Sequence, residues 1–294
     1  MKYRLRKDLK KEVNGVTLFR IECVTAFANI ASGEFGGWIE KEENLSQSGD
    51  AWVSGDAEVF GNARVFGDAK VFGDARVSGD AWVSGNAEVS GDAWVSGDAE
   101  VFGNARVFGD ARVSGDARVS GDARVYGNAK VYGNAKVYGD AEVFGNARVF
   151  GDAKVFGDAR VSGDAWVSGD AEVFGNARVF GNARVYGDAW VSGNAEVSGD
   201  AWVSGDARVY GNAKVFGDAD IFLIKLSARF LTFCKDKKIG ISVTVGCQKA
   251  ISLEEFKDRI FEDGGYTQET LPKHRREYLK AIELVEEFMN VEGE

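Results

Sequence analysis

The 294-residue chain holds 36 basic and 46 acidic side chains, a net charge of −10, with 38 glycines, one proline and one histidine. Such an acidic body argues against a grip on nucleic-acid backbone, which needs a clustered basic surface to displace counterions. The opening MKYRLRKDLKKEV is charged throughout and no 18-residue apolar run occurs, so the expectation is a cytoplasmic protein with neither signal peptide nor membrane helix.

Residues 1–48 begin with alternating apolar and polar segments such as GVTLFRIECV, which predict strands. GEFGGWIEKEENLS follows, and its Ile39 and Leu45 fall in phase with the alanines of the repeat downstream. Cys23, Cys234 and Cys247 are too few and too scattered for a disulfide framework or a paired-cysteine metal site, which fits buried thiols in a reducing compartment.

Residues 49–222 are 29 hexapeptides without one insertion: Gly, Asp or Asn, Ala, a variable residue, Val, then Ser, Phe or Tyr. Ala fills its slot in all 29 units and Val in 28, with Ile221 in the last. Ala, variable residue, Val and aromatic or Ser form a period-two strand, so Ala and Val share one side and the other two residues share the opposite one. Gly and Asp or Asn then turn the chain, because Gly accepts positive φ and Asp or Asn tolerates it and bonds its own turn.

A strand this short cannot bury its Ala and Val face alone, but three per coil close a tube whose stacked coils share a core. The pattern resembles the hexapeptide-repeat left-handed parallel β-helix family, with an aliphatic residue followed four positions later by a small one, as in Val53 and Ala57 or Val59 and Ala63. It departs from that family in placing Phe, Tyr or Ser after the aliphatic residue and moving Gly one place on. The resemblance implies a triangular prism with 18 residues per coil and nine to ten coils, on the order of 45 Å long at roughly 4.8 Å per stacked strand. Both ends of such a stack expose unpaired strand edges and require caps. Residues 1–48 are read as an N-terminal β cap and residues 223–294 as a C-terminal α+β cap.

In that C-terminal cap FLTFCKDKKIGISVTV predicts an apolar hairpin, and Ser252 with Glu255 three residues on is a capping box that opens a helix through about Phe261. A second helix begins near Pro272, with Tyr278, Ile282, Val285 and Met289 at helical spacing. GGWIEKEENLS before the array and YLKAIEL after it are similar to the flanks of the YdcK-like β-helix proteins of bacteria and phages, a group labelled as transferases by analogy of fold.

Enzymes of the fold are mostly trimeric acyltransferases, and the resemblance implies a histidine general base for that chemistry. His274 is the one histidine, and it stands in PKHRRE among Lys273, Arg275 and Arg276, where a solvated cationic face is the plain reading. The fold's other familiar enzyme, the γ-class carbonic anhydrase, needs three histidines for its metal and is excluded. No repeat unit is longer or shorter than six residues, so the loops that wall an acyltransferase site are missing from the array.

Only the variable and post-Val positions point outward, and residues 18 apart fall in one column. One column reads Trp52, Lys70, Glu88, Arg106, Arg124, Glu142, Arg160, Arg178, Glu196, Lys214, with every interior Glu flanked by cations. A second reads Glu58, Arg76, Trp94, Arg112, Lys130, Arg148, Trp166, Arg184, Trp202, Asp220, so that each of its three tryptophans is next to arginine. Cross-strand ion pairs and Arg on Trp contacts each contribute about 0.5–1 kcal/mol. The post-Val residue is aromatic in 17 units and Ser in 12, and Ser follows each repeat tryptophan two residues on, as size compensation on a packed surface would produce.

That much outward aromatic area marks an interaction face, with self-association, partner binding and simple covering by Arg and Lys stems as the three accounts. The candidate binding residues are Trp94, Trp166, Trp202, Arg76, Arg112 and Arg184. Nineteen Asp and ten Asn occupy the corners, where stacked carboxylates repel unless corner amides, bound cations or interleaved Asn relieve them. A turn-forming role is preferred there to calcium ligation.

The reading is a non-enzymatic β-helical scaffold or binding protein without a cofactor or a metal. Its expected partner is a second copy or another protein, with a small-molecule or nucleotide ligand left open, and it binds neither nucleic acid nor membrane. Two alternatives stand beside it: a hexapeptide acyltransferase using His274, and a phage-type DNA mimic or nucleotide-sequestering protein.

Overall fold

In the hexapeptides from residue 49 to residue 216 the variable residue and the following Val form a strand, of two residues except for Glu196–Ser198 and Lys214–Phe216, and Gly with Asp or Asn forms the corner between one strand and the next. A computed structural model gives this architecture, and it describes residues 1–216, 221–225, 230–236, 240–245, 251–262, 267, 269 and 271–290. Successive strands enter three different parallel sheets in rotation, so each strand pairs with the one three units away. The register is i to i+18 throughout, as in Trp94 opposite Arg112 and Val95 opposite Val113. The rod is thus a parallel solenoid of about ten turns, and the 18-residue coil expected from the sequence is present.

Burial explains why Ala and Val hold their slots. From Ala51 to Val203 both are sealed inside the tube, forming one continuous core. Backbone groups are used along the axis: Trp94 N donates to Ala111 O at 2.9 Å and Ser96 N to Val113 O at 2.9 Å. At the corners the stacked glycines sit too close for a side chain. Gly121 has φ +69°, and a Cβ on it would lie 2.9 Å from Gly139 N.

Three strands close the first coil. β1 (Tyr3–Val13) and β2 (Val16–Cys23) form an antiparallel hairpin around Asn14 and Gly15, whose φ values of 51° and 80° suit a primed hairpin turn. β3 (Phe35–Ile39) pairs antiparallel with β2 and parallel with Glu58–Val59, which turns the hairpin's sheet into a face of the rod. The first coil's outward carbonyls then find donors in this segment. Trp38 N bonds Ala57 O at 2.9 Å, Glu40 N bonds Val59 O at 3.1 Å and Ser46 N bonds Val65 O at 2.9 Å. Asn44 Nδ2 reaches Gly61 O at 3.1 Å and Ala63 O at 2.9 Å, and Lys2 Nζ reaches Ala51 O at 2.7 Å and Gly49 O at 3.2 Å.

Ile39 and Leu45 pair with Val59 and Val65, twenty residues on instead of eighteen. They therefore sit in the Val slot, where the sequence phase assigns them the Ala slot. The slip follows from Gln47, whose side chain accepts from Lys2 N at 2.8 Å and Tyr3 N at 3.3 Å and donates to Tyr3 O at 3.0 Å. That bracing enlarges the corner between Leu45 and Ala51 by two residues.

At the other end the hexapeptide spelling continues to Phe222, but the parallel ladder's last strand is Lys214–Phe216. Ile221–Lys225 joins an antiparallel sheet with Phe230–Asp236, Gly240–Val245 and Ile251–Ser252. Helix α1 (Leu253–Glu262) opens on Ser252, whose Oγ accepts from Glu255 N at 3.1 Å, as the capping box predicts. Helix α2 (Lys273–Asn290) starts directly after Pro272. Leu231, Phe233, Val243, Phe256, Ile260, Ile282 and Val285 form a separate core here. No helix among the described residues is long and apolar enough to cross a membrane.

Candidate functional site on the outer faces

Since Gly, Ala and Val are committed to making the tube, the side chains available to a partner are the exposed corner Asp and Asn and the columns on its three sheets. The Glu58 face brings the sequence-predicted residues together. Trp94, Trp166 and Trp202 project from it, and Trp202 is the most exposed tryptophan at 58%. Arg148 and Arg184 lie over the two sides of Trp166 at 5.0 and 4.8 Å from its centroid, and Arg184 also covers Trp202 at 5.2 Å. The result is an alternating ladder of Arg148, Trp166, Arg184 and Trp202 on successive coils.

Arg112 lies 5.8 Å over Trp94. Arg76 stands opposite Trp94 in register, but its Nε goes to the buried Glu58 carboxylate at 3.0 Å, which Lys11 Nζ holds from the other side at 2.7 Å. Below Glu58 the column continues into the N-terminal segment, with Lys11 and Arg20 over Trp38 at 4.8 and 5.0 Å.

Each of these tryptophans leans onto the post-Val residue of the preceding coil, sixteen residues back. Trp166 meets the Phe150 ring edge-on at 6.1 Å, Trp202 meets Tyr186 at 6.4 Å, and Trp94 Nε1 donates to Ser78 Oγ at 3.2 Å. Two post-Val aromatics on adjacent coils instead lie flat on each other: Tyr126 on Phe144 at 5.0 Å, Tyr132 on Phe150 at 5.0 Å and Tyr138 on Phe156 at 4.8 Å. Burial against these neighbours pushes the Tyr126 and Tyr138 phenols up from their usual range.

On the Trp52 face Glu142 pairs with Arg124 at 3.5 Å and Arg160 at 3.4 Å, and Glu196 with Lys214 at 3.1 Å. The Arg64 face has Lys154 on Glu172 at 2.8 Å, a bond that holds the lysine amine above its ordinary value. Trp190 on that face lies under Arg208 at 4.5 Å, edge-on to Phe174. Its column places Trp82 and Trp190 among the exposed aromatics, a reading available from the 18-residue spacing once the third column is written out. A groove of about 490 Å³ follows Phe174, Trp190, Ser192, Asn194, Arg208 and Tyr210.

Asn relieves the corners where it is interleaved. Asn62 donates to Asp80 at 3.0 Å, Asn146 to Asp164 at 3.0 Å, Asn86 to Asn104 at 3.1 Å, and Asn104 in turn to Asp122 at 3.0 Å. Among the described residues no group of three or more His, Cys, Asp or Glu is placed to hold a metal ion. His274 is the second residue of α2, and its side chain lies outside the described ones.

The family described as YdcK Beta solenoid repeat matches the chain at residues 69–85, 111–127, 117–133, 153–169, 171–187 and 177–193. All six matches fall in the rod. Among curated proteins none matches the chain.

Proposed function

From a chain that is a YdcK-like β-solenoid repeat protein, we propose a rigid, non-catalytic scaffold that binds protein through its outer faces, with further copies of itself as the first partner. The ladder of Arg148, Trp166, Arg184 and Trp202 carries this reading. Its rings are held by stacking before any partner arrives, so docking orders few side chains and forfeits little entropy. Aromatic and arginine side chains are also the types that anchor interfaces. Cys23, a buried free thiol, suits work in the reducing cytoplasm.

The test is sedimentation velocity of the full chain across a concentration series. Trp166→Ser with Trp202→Ser, which restores residue types the array already uses outward, is expected to weaken association at least tenfold while leaving the β-sheet circular dichroism unchanged. A wild-type chain that stays monomeric throughout overturns self-association. Turnover of an acyl-CoA that vanishes in His274→Ala overturns the non-catalytic reading.

A further inference from the structure

The rod is acidic as a whole, yet its middle is not. Residues 104–148 hold seven cations against five carboxylates, residues 50–94 three against eight, and residues 162–206 two against seven. From Arg106 to Arg148 the eight variable positions are Arg or Lys except for Glu142. This belt runs round all three faces.

Within it, cations stand directly opposite cations: Arg106 and Arg124, Arg112 and Lys130, Arg118 and Lys136, Lys130 and Arg148, Lys136 and Lys154. Like charges facing each other across a ladder destabilise it. Elsewhere the column cations alternate with Glu or Trp, apart from Arg160 opposite Arg178. Some belt members escape by reaching outward, Arg106 to Glu88 at 3.5 Å and Arg118 to Glu100 at 3.4 Å. Lys130 and Lys136, at the centre, make no ion pair with a described residue.

We infer that this belt is the docking site for the acidic part of a second copy. This docking rests on the self-association proposed above and is its electrostatic part. One corner carries Asp152, Asp170, Asp188 and Asp206 on successive coils. These carboxylates repeat at the same coil spacing as the Lys and Arg columns, so two rods lying side by side set a row of carboxylates along a row of cations. An antiparallel pair staggered about a two-fold near residue 155 sets each belt against residues 162–206 of the other chain, satisfying both belts at once. Aligning the midpoints would instead place belt on belt.

The full chain is examined by sedimentation velocity at about 0.01 M salt, where screening reaches roughly 30 Å, and at about 1 M, where it reaches roughly 3 Å. Association is expected at low salt and its loss at high salt. Lys130→Glu with Lys136→Glu is expected to abolish association at low salt while raising thermal stability, because each Glu then stands between cations. Mixing that variant with Asp170→Lys, Asp188→Lys is expected to restore a heterodimer.

Association that survives high salt or the double lysine reversal overturns the inference. If only the tryptophan variant dissolves the assembly, the scaffold reading stands and the belt pairing falls. A monomer under every condition ends both. Tight, salt-sensitive binding of duplex DNA at the belt, in place of self-association, also overturns it.

Discussion

Glycine at the corner is held by two separate restrictions, its positive φ and the glycine of the next coil. Gly121→Ala is therefore expected to cost more than the roughly 1–2 kcal/mol that the left-handed backbone alone charges a side chain. The Cβ would also meet Gly139 N at 2.9 Å. Chemical denaturation of variant and wild type measures the loss, and an unchanged midpoint would refute the stacking argument. Glycine, Ala and Val were legible in the sequence because each answers one demand repeated at every coil. Lys2, Asn44 and Gln47 were not, since each acts once, on a carbonyl or amide whose position is set only when the first coil is built. Arg76 shows the same limit: spacing puts it beside Trp94, while the choice of Glu58 depends on Lys11 arriving from β1.

Among the elements, the hairpin of β1 and β2 adds an ion-pair cluster to its ladder and its buried Tyr3, Leu18 and Ile21. Glu22 takes Arg6 at 2.8 Å and Arg4 at 2.9 Å, and Arg6 also holds Asp8. Hydrogen bonds from Arg6 and then Arg4 keep the Glu22 carboxyl below its ordinary 4.5, and Arg6 keeps Asp8 below 3.8. Both pKa values are depressed by folding, so their contribution is complete above those ordinary values and is lost as pH falls through the lowered ones. Protection of the β1 amides from hydrogen exchange, taken relative to the intrinsic rate at each pH, is expected to fall on acidification below about pH 4, while the amides of the Ala and Val strands at mid-rod keep theirs. Equal loss at both places would refute this. The helices α1 and α2 were readable from Ser252, Glu255 and Pro272, because caps and proline act locally. The departure of Ile221 from the parallel ladder was not, since its spelling still fits the repeat and only the pairing partner at Cys234 distinguishes the two sheets.

For the whole molecule, the 18-residue register makes length and face identity separable. Deleting residues 121–138 is expected to leave a folded rod shorter by about 4.8 Å in solution scattering, with the ladder of Arg148, Trp166, Arg184 and Trp202 still on the Glu58 face. Deleting residues 121–126 should also fold, but it moves every later strand to the next face and separates that ladder from Trp94 and Arg112. If both deletions unfold the chain alike, the three-sheet register is wrong. Columns within a face could be written down from spacing alone, whereas the belt's charge contrast needed the three faces together. The i to i+18 pairing also has a kinetic side. Any coil offers the same Ala and Val ladder as any other, so a growing stack could begin its count at many places and be wrong by whole turns. Lys2, Asn44 and Gln47, with the two-residue slip beside them, have no second copy along the rod, and they give the winding chain a single origin.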